Sequence, residues 1–166
     1  MTFYTQNGWK GSNYDSNLST TDICKNIRNY CKQFKGYKFS VRTRRYNHIS
    51  VELKECPVEI TNFEKMFEYL ENKQFGCYYI QGEGNKSWVE LTAEQKEKAC
   101  KEQVECWSKY KQFHGVPKNE TWLNPEVEDV LCSVYTYMES FNYDDSDGMI
   151  DYFDTNFYHD FEIDIK

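Results

Sequence analysis

The sequence predicts an α+β fold: a small antiparallel sheet, built from a central hairpin and a C-terminal strand, with about four helices packed on one face. Three observations carry that expectation. The spacing of apolar residues alternates along the chain between the helical period and the strand period. Aromatic residues are abundant (14 Tyr, 11 Phe and 4 Trp), which suits a half-buried pleated surface better than a Leu- and Ala-rich bundle. Helix-start signals precede separate apolar runs at Ser19, Thr61, Thr92 and Asn124. At 166 residues, one domain is the expectation, with enough chain to bury a core without metal or disulfide staples.

Residues 1–18 are rich in Asn, Ser, Gly and Tyr and read as a flexible or loosely packed lead-in, leaving 19–166 as the domain. Ser19 with Asp22 forms a short capping box for a helix over roughly 20–34, whose Ile23, Ile27, Tyr30, Cys31 and Phe34 share one face before Gly36. In "YKFSVRTRR" the period becomes two, with Tyr37, Phe39 and Val41 opposed to Lys38, Ser40, Arg42 and Arg44. "HISVELKEC" repeats the alternation, so the pair reads as a hairpin ending at Pro57. Thr61 and Glu64 predict a second helix, up to Gly76. Thr92 and Gln95 predict a third over about 93–113, with a short strand at "GCYYIQG" and a turn at "EGNKSW" between the two. Asn124 followed by Pro125 starts a fourth, carrying Val127, Val130, Leu131, Val134, Tyr135 and Met138. An alternating segment from Tyr152 to Ile165 then closes the chain as a strand. It points Phe153, Phe157, Phe161, Ile163 and Ile165 inward and its even-numbered residues outward.

The net charge of −7 is localised. Residues 139–166 hold nine acids against Lys166 alone, leaving 18 acids and 19 bases for the rest of the chain. Such polarity concerns partners and solubility rather than fold. Seven cysteines, an odd number without a Cys-x-x-Cys, read as free thiols in a reducing compartment. No apolar run is long enough for a membrane span and no secretory segment is apparent, so a soluble, cytoplasmic protein is expected, with no membrane partner.

A more specific pattern combines several stretches. A capped helix with "ICKNIRNYCKQF" leads into "YKFSVRTRRYNHISVELKECP", and "FNYDDSDGMIDYFDTNFYHDFEI" follows much later. Together these resemble the large polyvalent protein-associated domain family, type twenty-nine, over residues 19–60 and 138–166, while 61–137 align only loosely. The family-like positions are Ile27, Arg28, Lys38 to Val41, Ser50, Val51, Asn142, Tyr143, Asp144, Ser146, Asp147, Asp151, Tyr152, Phe153 and Asp154. The resemblance implies an origin in phages, plasmids or other mobile elements and brings no catalytic residues. A chain carrying this domain by itself is expected to be a small secondary effector rather than a processing spacer.

The individual chemistries are tested residue by residue. Around Gly148, Asp145, Asp147 and Asp151 occupy three positions of a calcium loop, but Tyr143 stands where the first carboxylate belongs and Asp154 where a bidentate Glu is needed. No Cys/His pair has zinc-ligand spacing, so no metal and no cofactor is expected. His48, His114 and His159 and the thiols lie in no nucleophile signature. Cys24, Cys31, Cys100, Cys106 and Cys132 fall on apolar helix faces, as packing residues do. No catalytic residue is assigned, and an enzyme built on Cys56 or His48 is the least favoured class.

Two surfaces remain. Taken with what the resemblance implies, the acidic face of Asp144, Asp145, Asp147, Asp151, Asp154, Asp160, Glu162 and Asp164 suggests docking on the basic groove of a host defence or nucleic-acid-handling protein, as an anti-CRISPR or antirestriction protein or other DNA mimic would do. The bland alternative is an edge strand guarded by its charges. Lys38, Arg42, Arg44 and Arg45, with Tyr46 for stacking, form the alternative surface, for nucleic acid. Its own bland reading is cross-strand ion pairing with residues such as Glu52.

Overall fold

In the computed structural model, which describes residues 1–74 and 76–166, the helices begin where local chemistry sets them. Helix α1 spans Thr20–Cys31, with Ser19 accepting from the Asp22 backbone N–H. Helix α3 spans Ala93–Lys109 behind a reciprocal Thr92/Gln95 capping box. Helix α4, Pro125–Glu139, places proline in its first turn and Asn124 as its cap. Helix α2, Phe63–Lys73, is capped by Asn62 rather than Thr61. The Thr61 hydroxyl instead donates to the carbonyl of Trp122, tying the start of α2 to the loop before α4. Third-helix residues 110–113 were expected to be helical but form a strand.

The main sheet contains β2 (Lys38–Arg44), β3 (His48–Glu55), β6 (Tyr110–Phe113) and β8 (Tyr158–Asp164), in the order β2-β3-β8-β6. β2 and β3 form the expected antiparallel hairpin, and β6 is antiparallel to β8. β8 runs parallel to β3, His48 facing Tyr158 and Leu53 facing Ile163. The sheet is therefore mixed, a correction to the all-antiparallel expectation. The C-terminal strand is also not an edge: it lies between two others, so its backbone needs no guarding by charge.

One face of this sheet supplies Val41, Ile49, Val51, Leu53, Phe113, Phe161 and Ile163 to a single core with residues from all four helices. α1 contributes Ile23, Cys24 and Ile27, and α4 contributes Val127, Leu131, Val134 and Met138. Each such fully buried side chain is worth about 1.5–3 kcal/mol of transfer free energy. The opposite face carries Ser40, Arg42, Arg44, His48, Ser50, Glu52, Lys54, Asp160, Glu162 and Asp164, as the alternation and register require. At the open edge of β2, the Arg28 guanidinium reaches from α1 to the Val41 carbonyl at 2.7 and 2.9 Å, occupying an acceptor that another strand could otherwise use.

The lead-in is docked rather than loose. β1 (Trp9–Lys10) pairs with β7 (Tyr143–Asp144), and the backbone N–H groups of Gly11 and Asn13 donate to Asn142 and Ser140. A Cβ on Gly11 would stand 2.2 Å from the Ser140 carbonyl oxygen, so only glycine permits this approach. The short strand expected at "GCYYIQG" forms as β4 (Cys77–Ile80), and it pairs in a separate hairpin with β5 (Gly84–Ser87), which stands where a turn was expected and leads into a short 3₁₀ turn that buries Trp88.

Candidate functional site

The acidic segment divides into two parts with different environments. On β8, the carboxylates belong to a charge network centred on Glu52, whose side chain is only 2% exposed. Arg42 and Arg44 reach it from β2 at 2.7 and 2.8 Å, Lys54 from its own strand at 2.8 Å, and Ser50 donates at 3.2 Å. Burial opposes ionisation of Glu52, but hydrogen bonds and charge from Lys54 and Arg42 prevail and hold its carboxyl down at about 2. Lys54 also bridges to Asp164, and His48 Nε2 lies 2.9 Å from Asp160. Glu162 stands across from Glu52 in the parallel register and, among the described residues, accepts a hydrogen bond from the Tyr110 hydroxyl alone, at 3.3 Å. Burial, with the nearby Glu52 and Asp160 charges, raises its pKa despite that hydrogen bond and Arg44. Asp160 and Asp164 are thus matched from within the molecule, whereas Glu162 is not.

The loop before β8 is built differently. Asn142, 4% exposed, accepts from the Phe157 and Tyr143 N–H groups and the Thr155 hydroxyl, and donates to the Phe157 carbonyl. Asp147 and Tyr152 exchange backbone hydrogen bonds of 2.7 and 3.0 Å, closing the Gly148–Asp151 tip. Ser146 accepts from the Asp154 N–H, and the Asp154 carboxylate takes the hydroxyls of Tyr143 (2.7 Å) and Tyr152 (3.2 Å). Burial and this carboxylate push Tyr143 up to about 12. Asp145 is 3% exposed and accepts from the backbone of Tyr4 and Thr5 and the Thr5 hydroxyl, anchoring the lead-in. It therefore presents no carboxylate to a partner, which removes it from the acidic face. Asp144 and Asp147 cap local backbone N–H groups, of Ser146 and Met149. Among the described residues, Asp144, Asp147, Asp151 and Asp154 form no ion pair. The strand expected from Tyr152 starts only at Tyr158. Phe153, expected in the core, is 63% exposed, with Met149 at 92% and Ile150 at 57%.

The basic surface is largely occupied by the same network. Lys38 pairs with Glu55 at 2.7 Å, and Arg42 and Arg44 with Glu52. At the hairpin turn, Arg45 has a positive φ of 52° and Tyr46 is fully exposed, forming a projecting tip.

The seven cysteines are free. Cys24, Cys31 and Cys100 are buried, and burial pushes Cys31 up to about 12 and Cys100 to about 11. Cys106, expected on an apolar face, is exposed. Cys56 is half-buried, and burial raises its thiol, opposing nucleophilic use. Among the described residues, no three His, Cys, Asp or Glu side chains gather as a metal-binding group. None of the described helices is long and apolar enough to cross a membrane.

The family model for large polyvalent protein associated domain 29 matches residues 18–112, more than half of the chain. The chain belongs to this family. No curated protein and no solved structure matches it. This domain 29 region runs from the α1 cap into β6 and takes in residues 61–112 of the middle segment that the resemblance aligned only loosely. The family association is with phages and mobile elements. Two motif positions of the matched region hold the fold together: Ile27 is fully buried, and Arg28 joins the helix to Val41 of the following strand. The match ends before the acidic tail, so the family-like positions 142–154 lie outside it. There, too, Asn142, Tyr143, Ser146 and Asp154 serve the loop itself. Sequence reasoning overlooked Met149, Ile150 and Phe153 as exposed residues. The available signal was three large apolar side chains beside the Gly148 turn.

Proposed function

We propose that this protein is a non-enzymatic interaction protein of a phage or mobile element. It acts in the bacterial cytoplasm by covering a basic surface of a host defence or nucleic-acid-handling protein, an anti-CRISPR-like or antirestriction role. The observation that supports this reading is the loop over residues 143–156. Its backbone is fixed by its own side chains, while the Asp144, Asp147, Asp151 and Asp154 carboxylates have no cationic partner among the described residues. Fixed charge in a preorganised loop costs little ordering entropy on binding and steers association with a basic surface. Asp160 and Asp164 contribute less, because His48 and Lys54 already face them.

The test is affinity capture from nuclease-treated bacterial lysate with the full chain and with Asp144→Asn/Asp151→Asn. A basic protein retained at low salt, released by moderate salt and weakened in the variant is the expected result. Capture indifferent to both salt and variant would sink the reading. The second reading, nucleic-acid binding through the Lys38, Arg42, Arg44, Arg45 and Tyr46 hairpin, rests on the projecting Arg45–Tyr46 tip. A salt-dependent gel shift lost in Arg45→Ala/Tyr46→Ala would favour it.

A further inference from the structure

We infer that the tip of the acidic loop is an apolar docking knob for a lysine- or arginine-flanked amphipathic helix of the partner protein. This deepens the proposed reading and rests on it. Three large apolar side chains, Met149, Ile150 and Phe153, are exposed within five residues, at a place where the fold gives them nothing to cover. Tyr4, 66% exposed, lies beside the same loop, its ring centroid 4.8 Å from that of Tyr152. Scattered single apolar residues on a surface need no explanation, but three within five residues of one turn do.

The exposure does not come from a slack segment. The reciprocal Asp147–Tyr152 backbone bonds close the tip, the Asp147 carboxylate caps the Met149 N–H at 2.9 Å, and Asp154 gathers two tyrosine hydroxyls beneath it. Asp151 takes a positive φ of 53°, a conformation that Asp and Asn tolerate better than most residues. The turn thus holds its apolar side chains outward on a rigid base, which lowers the entropic cost of contact.

Size and charge select the occupant. Three or four side chains match the apolar stripe of about two helical turns and would leave most of a broad groove unfilled. Asp147 and the exposed Asp151 flank the apolar residues, so cations beside the stripe meet carboxylates that have no cationic partner among the described residues, whereas an acidic or neutral helix would leave them unmatched. An anionic membrane surface is disfavoured by the same charges. The thioether of Met149 adapts to varied stripe geometries.

The experiment is a titration of the isotope-labelled full chain, followed by its amide resonances, with a synthetic amphipathic helix of about 18 residues bearing leucine on one face and lysine on the other. The same helix with glutamate for lysine is the control. Saturable shifts centred on 147–154 and Tyr4 are expected with the lysine helix alone. Met149→Ser/Ile150→Ser/Phe153→Ser should weaken them about tenfold, and Asp151→Asn, which keeps the turn geometry, about twofold to threefold. All these positions are exposed, so the variants retain the dispersed spectrum of the fold. Absence of saturable shifts, shifts centred on β8 or on Arg45–Tyr46, or equal response to the glutamate helix would overturn the inference. So would retention on phosphatidylcholine vesicles that the triple variant abolishes. Lysate capture that survives the triple variant but is lost in Asp144→Asn/Asp151→Asn would overturn the knob and leave the basic-surface reading standing. Absence of capture by the unaltered chain would count against that reading itself.

Discussion

The loop over residues 143–156 and strand β8 have nearly the same composition, aromatic residues interleaved with carboxylates, and opposite surroundings. On β8 Phe161 is buried, and Asp160 and Asp164 meet His48 and Lys54. In the loop the tyrosines and acids bond to one another and to the backbone, and the large apolar residues face outward. A run of acids therefore says how much charge is present, but its cost and use depend on what the fold brings opposite. Cross-strand neighbours supply cations to β8. The loop meets its own residues and the lead-in, and among the described residues neither gives its carboxylates an ion pair.

The comparison breaks most sharply in stability. Phe161→Ala should destabilise by about 3–5 kcal/mol through lost burial and a residual cavity, whereas Phe153→Ala should change stability by less than about 0.5 kcal/mol. Urea unfolding of both variants measures the difference, and equal losses would mean that the loop aromatic is packed.

Next in size is Glu52→Gln, expected to cost about 2–3 kcal/mol, because it leaves Arg42, Arg44 and Lys54 around a neutral group. Its pH signature has a definite sign. A folded-state pKa held down at about 2 gives stability that is complete above the ordinary carboxylate range and is lost as pH falls towards 2. Acid titration of thermal midpoints should show a shallower fall between pH 4.5 and 2 in the variant.

Asp145→Asn addresses the loop's attachment. The N–H groups of Tyr4 and Thr5 should exchange with solvent faster, while amides of β8 keep their protection. The smallest effect is expected at Glu162, whose raised pKa means that ionisation is disfavoured in the fold. Its contribution favours folding at low pH and declines as pH rises through the folded-state value. Glu162→Gln should therefore raise the neutral-pH melting midpoint by about one or two degrees, with no comparable gain at pH 4.

The parts legible in the sequence were those written in neighbouring residues. The Ser19 and Thr92 caps, the Asn124–Pro125 start and the β2–β3 alternation all lie within a few residues of what they determine. Thr61 was a plausible cap that instead bonds to Trp122, a contact spanning 61 residues. Tyr110 and Phe113 keep helical spacing with α3, so only the pairing with β8 identifies them as strand. Alternation is the same in edge and central strands, and in parallel and antiparallel pairs, so it could not place β8. Its accidental extension back to Phe153 also concealed the loop. The ion pairs of Arg42 and Arg44 were foreseen in kind as Glu52 pairing, while the separation of the acids into internally matched and unmatched sets depends on the fold.

The parallel seating of β8 has a kinetic consequence. His48 and Asp160, side by side in the sheet, are separated by 112 residues. Closing so long a chain segment costs entropy before any pairing rewards it, and non-local pairings slow folding. The hairpin and the capped helices can form early from local contacts, but β6 has no neighbour until β8 enters between it and β3. Refolding should thus show a fast phase of helix and hairpin formation followed by a slower step that assembles the sheet. Until that step, Glu52 lacks Glu162 and Asp160 beside it, and the acidic segment remains open to solvent along its whole length.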